Sequence, residues 1–373
     1  MRVLHTSDWH LGRSFHRESL IEAQAAFVDH LVEVVRAERV DVVAVSGDVY
    51  DRALPPVDAV ALCNEALARL VAARVRVVMI SGNHDSARRL GFGASLIDAA
   101  GVHLRTDPEL AWEPVVIDEV AFYGIPYLEP ELVRGPWELD SRTHGAALGH
   151  AMDRIRADLA RRGGPSVVLA HAFVTGGEAS DSERDISVGG VAHVPVSAFD
   201  GVTYVALGHL HGRQQMSDTV RYSGSPLAYS FSEAGHVKGS WLVELSDSVQ
   251  RADFVPAPVP RPVGRLRGLL DDLLDRPDLA RYEDHWLQIV LTDPVRPKAA
   301  MDRLRVRFPH TLALSFDPEG GAAAVPAPRL AGRPEAEVAL DFVREVRGEA
   351  ASGDEEELLR AAIEASRLKE ALA

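Results

Sequence analysis

Along the first two-thirds of the chain, short apolar runs alternate with longer stretches whose apolar residues recur at helical spacing. Five runs stand out: Arg2 to Thr6, Val40 to Val45, Arg76 to Ile80, Ser166 to Ala170 and Thr203 to Leu207. Each is short and continuous rather than alternating, the pattern of a strand buried on both faces. Residues 18–36 and 57–73 read as helices between them. The pattern predicts an α/β fold with a central sheet covered by helices. The 57–73 helix is apolar on two sides. Val57, Val60, Ala61, Ala68 and Val71 lie on one, and Ala59, Leu62, Ala66, Leu70 and Ala73 on the other. One side can pack on the sheet. The other needs a later loop, another helix or a second subunit.

Four prolines between Val255 and Val263 mark a boundary. After it, a helix (269–274), a strand (286–291), a helix (298–307) and a strand (312–316) predict a small α+β module. Residues 319–334 are rich in Gly, Ala and Pro and read as a linker. Helices are then expected over 335–373, the first with an apolar stripe of Ala339, Phe342, Val343 and Val346. Ser352 and Glu355 have the spacing of a capping box for the second. The expected units are therefore a catalytic domain (1–258), a cap (259–318), a linker (319–334) and a helical tail (335–373).

Charge changes the picture only partly. The formal net charge is −15, which disfavours a protein that coats nucleic acid electrostatically. A cleft that binds cations in carboxylates escapes this objection, because the cations bring local positive charge. Residues 331–373 hold 6 Lys+Arg against 11 Asp+Glu and carry part of the acidity. Cys63 is the only cysteine, which excludes an intrachain disulfide. No apolar run is long enough to span a membrane, and the N-terminal residues lack a secretory pattern. A cytoplasmic protein with no membrane contact is the expectation.

Each of the five apolar runs leads directly into metal-ligand chemistry: Asp8-Trp9-His10, Gly47-Asp48, Gly82-Asn83-His84-Asp85, His171 and Gly208-His209-Leu210-His211. Functional crevices of α/β sheets lie at the carboxyl ends of strands, so five adjacent strand ends would bring these side chains together. Asp-x-His or Gly-Asp alone is commonly a turn, and a lone loop His is commonly a surface His. The ordered set of five is not explained that way. Carboxylate, imidazole and amide oxygen suit divalent manganese, iron or zinc, and the absence of thiolates argues against a structural zinc site. The eight candidates (Asp8, His10, Asp48, Asn83, His84, His171, His209, His211) exceed the needs of one ion and fit two. Asp48 is the natural bridge, since a carboxylate offers one oxygen to each. Gly47, Gly82 and Gly208 are expected to allow the turn from strand to loop.

The series Asp8-x-His10, Gly47-Asp48, Gly82-Asn83-His84-Asp85, His171 and Gly208-His209-x-His211 resembles the calcineurin-like metallophosphoesterases. The segments "LHTSDWHLG", "SGDVYD", "GNHDSARRL", "VALGHLHGRQ" and "YSGSPLAYSFSE" are similar to the SbcD family of nucleases. The resemblance implies a two-layered β-sheet core flanked by helices. It implies that Asp8, His10, Asp48 and His211 hold one ion and that Asp48, Asn83, His171 and His209 hold the other. His84 would face the leaving group as a proton donor, or serve as a structural group that orients Asn83 or Asp8. It further implies two divalent cations, with manganese expected. The implied activity is 3′–5′ exonuclease on duplex DNA and endonuclease on single strands, in repair, recombination and replication. The implied partners are DNA, an SbcC-type ATPase docked on residues 335–373, and a second copy through the 57–73 helix. Arg13, Arg17, Arg88 and Arg89 are candidates for DNA phosphates, and the loop 176–190 for shaping access. Competing readings are a phosphoprotein phosphatase, a small phosphodiesterase and a docking scaffold for the ATPase.

Overall fold

The computed structural model describes residues 1–184, 186, 193–318 and 333–372. In chain order come β1 (Arg2–Thr6), a ribbon of β2 (Ser14–Phe15) and β3 (Glu18–Ser19), and α1 (Ile21–Ala37). Next are β4 (Val42–Ser46), α2 (Val57–Ala72), β5 (Arg76–Ile80), the short helices α3 (Ala87–Leu90) and α4 (Ala94–Ile97), and β6 (Val102–Arg105). Then follow β7 (Val115–Ile117), β8 (Val120–Ile125), α5 (Pro130–Arg134), α6 (His144–Arg162) and β9 (Ser166–His171). The ribbon β10 (Phe173–Val174) and β11 (His193–Val194) precedes β12 (Tyr204–Gly208), β13 (Gln214–Gln215), β14 (Val220–Tyr222), β15 (Gly239–Leu245) and β16 (Val249–Pro256).

These strands form two six-stranded sheets, β16-β15-β1-β4-β5-β6 and β13-β14-β12-β9-β8-β7. The five apolar runs are strands, but they belong to both sheets. β1, β4 and β5 are parallel neighbours in the first, and β8, β9 and β12 in the second. The single central sheet expected from periodicity is thus two stacked sheets. Alternate residues show why the runs are unbroken. Val3, Val42 and Ala44 face Val167, Leu169 and Ala206 between the sheets. Leu4, Val43 and Val45 point the other way, against Phe27 and Leu31 of α1 and Leu62 and Leu70 of α2. Val168 and Ala170 likewise pack under Ala147 and Ile155 of α6. Both faces of each sheet's centre are covered, and each fully buried Val or Leu contributes about 1.5–3 kcal/mol.

Only one side of α2 is covered. Ala59, Leu62, Cys63, Ala66 and Leu70 are buried, whereas Val57 is 82% and Val60 44% exposed. Burial under a later loop does not occur among the described residues.

After Pro256 the chain builds a separate parallel sheet, β17 (Val263–Gly268), β18 (Trp286–Leu291) and β19 (Thr311–Phe316), with α7 (Leu270–Asp275) and α8 (Ala300–Arg307). Its core includes Leu270, Leu287, Ile289, Leu304 and Phe308. Most of the stretch read as a linker (319–332), and Asp185 and residues 187–192 in and beside the 176–190 loop, lie outside the described residues. Two helices close the chain, α9 (Glu335–Arg347) and α10 (Gly353–Leu372). The capping box forms: the Ser352 amide donates to Glu355 Oε2 (2.8 Å) and the Glu355 amide to Ser352 Oγ (3.4 Å). No helix among the described residues is long and apolar enough to cross a membrane.

Candidate metal centre

The loops after β1, β4, β5, β9 and β12 meet at one edge of the two sheets. They are joined backbone to backbone: the Asp8 amide donates to Gly47 O (3.0 Å) and the His10 amide to Asp48 O (3.0 Å). Four of the candidate residues have positive φ: Asp8 (54°), His10 (44°), Asp48 (49°) and His209 (107°). Such conformations cost non-glycine residues energy and persist where the surroundings impose them, as at functional sites. The glycines act differently from expectation. Gly47 does turn the chain with φ +88°, but Gly82 and Gly208 do not have positive φ. They provide space: a Cβ would overlap Asp48 Oδ1 at Gly82 and Ser46 O at Gly208.

All eight candidates converge. Asp8, His10 and His211 form one group, His10, Asp48 and His84 a second, and Asp8, Asp48 and His171 a third, all buried. Asp48 Oδ2 lies 3.6 Å from His10 Nε2 and 3.6 Å from His171 Nε2. Asn83 Oδ1 stands 2.9 Å from His171 Nε2 and 3.2 Å from His209 Nδ1. His10 Nε2 and His211 Nε2 are 3.0 Å apart.

The hydrogen bonds around these atoms test whether they suit cations. His171 Nδ1 donates to Ser46 O (2.9 Å), and His211 Nδ1 donates to Ser182 Oγ. In the neutral rings both Nε2 atoms therefore carry lone pairs. One faces Asn83 Oδ1, itself an acceptor, and the other faces His10 Nε2. Acceptors converging at such distances are the arrangement of ligands about a positive ion. Burial raises Asp8 to about 6 and Asp48 and Asp85 to about 7. Burial also pushes His10, His84 and His209 well below the ordinary imidazole range. Such carboxylates among neutral imidazoles are costly to keep ionised unless a cation offsets their charge.

Several residues that shape the site were not among the sequence candidates. Asp85 accepts from the amides of Val49 (3.0 Å), Tyr50 (2.8 Å) and Gly82 (2.9 Å), which ties the β4 loop to the β5 loop. Glu233 Oε1 accepts from Ser182 Oγ (2.6 Å), and Glu233 Oε2 accepts from the buried Lys238 ammonium. Burial would raise the Glu233 carboxyl, but Lys238 and His211 prevail and hold it well below the usual range. Burial would lower His211, but Glu183 and Glu233 prevail and raise it. Arg184 acts electrostatically on both Asp48 and His84. Asp85 and Glu233 fell within the motif segments, and Ser182, Glu183 and Arg184 within the loop 176–190 read as shaping access, though no role was read for any of them. Lys238 reaches the site with no local pattern.

The His10 loop is clamped from two sides. Gln24 Nε2 donates to His10 O (2.7 Å), and Tyr229 Oη donates to Trp9 O. Tyr229→Phe removes a donor from a buried carbonyl and should cost about 1–3 kcal/mol. A lower denaturant midpoint at unchanged slope would register it. An unchanged midpoint would show that the Trp9 carbonyl finds another partner.

The candidate DNA-contacting arginines are dispersed. Arg13 lies at the rim, 4.9 Å from the Tyr229 ring centroid and 3.4 Å from Asp51 Oδ1. Arg17 occupies the exposed turn of the β2–β3 ribbon. Arg88 is exposed and lines a cavity that also touches Asn83, and Arg89 donates to Ala53 O (3.3 Å).

A family model described as calcineurin-like phosphoesterase matches residues 1–213. A second, the SbcD C-terminal model described as type 5 capsule protein repressor C-terminal domain, matches residues 259–347. Among solved structures, the chain is similar to a Thermus thermophilus protein at 12% identity and TM-score 0.42, over 69% of this chain and 99% of that one. A dimetal phosphatase from Danio rerio aligns at 14% identity and TM-score 0.42, again over 69% and 99%. The calcineurin-like phosphoesterase YfkN from Bacillus subtilis aligns at 11% and 0.37, over 69% and 90%.

Proposed function

The chain belongs to the calcineurin-like phosphoesterase family and is a metal-dependent phosphoesterase of the SbcD type; from that premise we propose that it is a two-metal nuclease that hydrolyses DNA phosphodiesters. The observation that carries the reading is the position of Asp48 Oδ2, 3.6 Å from imidazole nitrogens of both β-sheets' loops, His10 and His171. In this reading Asp8, His10, Asp48 and His211 hold one ion, and Asp48, Asn83, His171 and His209 the other. Manganese is the metal we favour, since oxygen and imidazole donors suit it. When bound, the pair supplies Lewis acidity toward the phosphodiester and toward water.

The chain's own residues perform the rest. Ser46 O and Ser182 Oγ fix the orientation of His171 and His211. His84 Nδ1 donates to Asp51 O (2.7 Å), which turns Nε2 toward the centre, 4.0 Å from Asp48 Oδ2. With Nδ1 donating, the neutral ring has a lone pair at Nε2; in this reading it first takes up a proton there and then would give it to the departing sugar oxygen. Arg13 and Arg88 are the candidate phosphate contacts nearest this region.

We extend the reading to 3′–5′ cleavage of duplex ends and endonucleolytic cleavage of single strands, in DNA repair and recombination in the cytoplasm. An SbcC-type ATPase would dock on 335–373 and bring the basic surface that a chain of net charge −15 lacks. The bare side of α2, with Val57 and Val60 exposed, is where a second copy would pack.

The test compares substrates. Chelator-stripped protein should be inactive, and manganese should restore cleavage of linear duplex and single-stranded DNA while a phosphoprotein remains intact. Preferential release of phosphate from the phosphoprotein would overturn the nuclease reading in favour of a phosphatase.

A further inference from the structure

A cavity of about 940 Å³ opens beside the metal centre, and its wall comes from residues 81–186 and from the C-terminal helices. Asn83, Asp85, Arg88 and Tyr127 line it from the catalytic side, and Glu335 of α9 and Arg367 of α10 line it from the other. The C-terminal helices are therefore folded back against the catalytic face. Charges hold them there. The Arg142 guanidinium, just before α6, pairs with Glu364 of α10 through two bonds (3.0 and 3.3 Å) and with Glu131 of α5 (3.2 Å). Arg367 pairs with Glu335 (3.1 Å) and is close enough to Tyr127, Glu129 and His144 to act on their ionisation.

The contact leaves part of the tail's apolar surface outward, while Val338, Val343 and Ile363 are half-buried. Phe342 is 65%, Val346 70% and Leu358 75% exposed. Exposed ion pairs are individually weak and salt-sensitive. A contact built on them closes and opens readily, unlike one built on buried apolar area.

We propose that the α5–α6 rim of this cavity is a docking surface for the chain's own C-terminal helix pair, and that the docked helices close the cavity to the DNA flanking the scissile phosphate. This rests on the nuclease reading, because the excluded ligand is the DNA strand. A small aryl phosphodiester needs only the metal centre and bypasses the cavity. Releasing the helices therefore affects DNA and leaves the aryl diester unchanged.

The full chain loaded with manganese is assayed on a long single strand and on an aryl phosphodiester, with Arg142→Glu, with Glu364→Arg and with both together. Each single reversal should raise DNA cleavage by about two- to fivefold, the range set by losing exposed ion pairs. The double variant should restore the original rate, and the aryl diester should be cleaved equally by all. Unchanged or reduced DNA cleavage in both single variants overturns the proposal. So does an equal rise on the aryl diester, which would place the effect at the centre itself. A second measurement is independent of activity. With the native Cys63 buried, Ser141→Cys combined with Ala365→Cys puts exposed thiols beside the intact Arg142–Glu364 pair for a short bismaleimide. Rapid intramolecular cross-linking supports docking, and its absence overturns it. If the wild type cleaves the aryl diester and no DNA, the nuclease reading fails while the cross-link still reports on the helices.

Discussion

Asp48→Ala should lose both metal ions and reduce phosphodiester hydrolysis by on the order of a thousandfold or more, beyond the loss of a single transition-state donor. Asp48 is 1% exposed, and one of its oxygens is 3.6 Å from both His10 Nε2 and His171 Nε2. Its other oxygen accepts the His84 amide at 2.9 Å. Among the described residues, Asp8 and Asp85 are the buried carboxylates on the adjoining strand-end loops, while the buried Glu233 is tied to Lys238. Asp8 is held by Ser7 Oγ (2.6 Å) and the His209 amide (3.0 Å), and Asp85 by three amides. Neither is free to take the central position. Asp48→Asn sharpens the test, because an amide oxygen can still accept the His84 amide while the anionic charge is gone. That variant should keep the fold and still bind metal poorly. Metal content by elemental analysis, beside the hydrolysis rate, decides the matter. Two ions retained at normal affinity in both variants would remove Asp48 from the bridge.

The centre was legible in the sequence because its chemistry is local to strand ends. Leu4, Val43 and Val168 face helices while Val3, Val42 and Val167 face the opposite sheet. Both sets must be apolar, so the runs appear unbroken and their ends are sharply marked by Asp, Asn and His. The division into two sheets was not legible by periodicity. A strand buried between a helix and a sheet reads the same whichever sheet it joins. The antiparallel edge made by β15 and β16 went unread because exposed residues of β16, such as Gln250 and Arg251, break the apolar pattern. The role of Gly82 and Gly208 was misread because sequence shows where glycine stands, not whether conformation or space requires it. The pairing of Ser182 with Glu233 and Lys238 was not legible for a related reason, although Ser182 and Glu233 lay in segments that were read. Ser182 meets Glu233 across 51 positions, and neither sits at a strand end of the five runs.

His84→Ala should retain both metals and DNA affinity while slowing cleavage by about a hundredfold or more, the usual contribution of a positioned proton donor. His84 is the candidate whose role geometry alone divides. Its ring centroid is 4.6 Å from that of His10, and it belongs to a possible ligand group with His10 and Asp48. Yet its Nε2 is 4.0 Å from Asp48 Oδ2, farther than the 3.6 Å of His10 and His171. Asp51 O fixes its Nδ1, so the ring cannot turn to offer that atom instead. The greater distance is what sets it apart: its Nε2, once protonated, would face the departing oxygen rather than a cation. The distinction appears in leaving groups. An aryl diester whose leaving phenol is acidic needs little protonation, so His84→Ala should slow it far less than it slows DNA. A ligand role would slow both substrates alike and lower metal content together with them, as His209→Ala should. Equal losses on the two substrates, with metal missing, would make His84 a ligand rather than the proton donor.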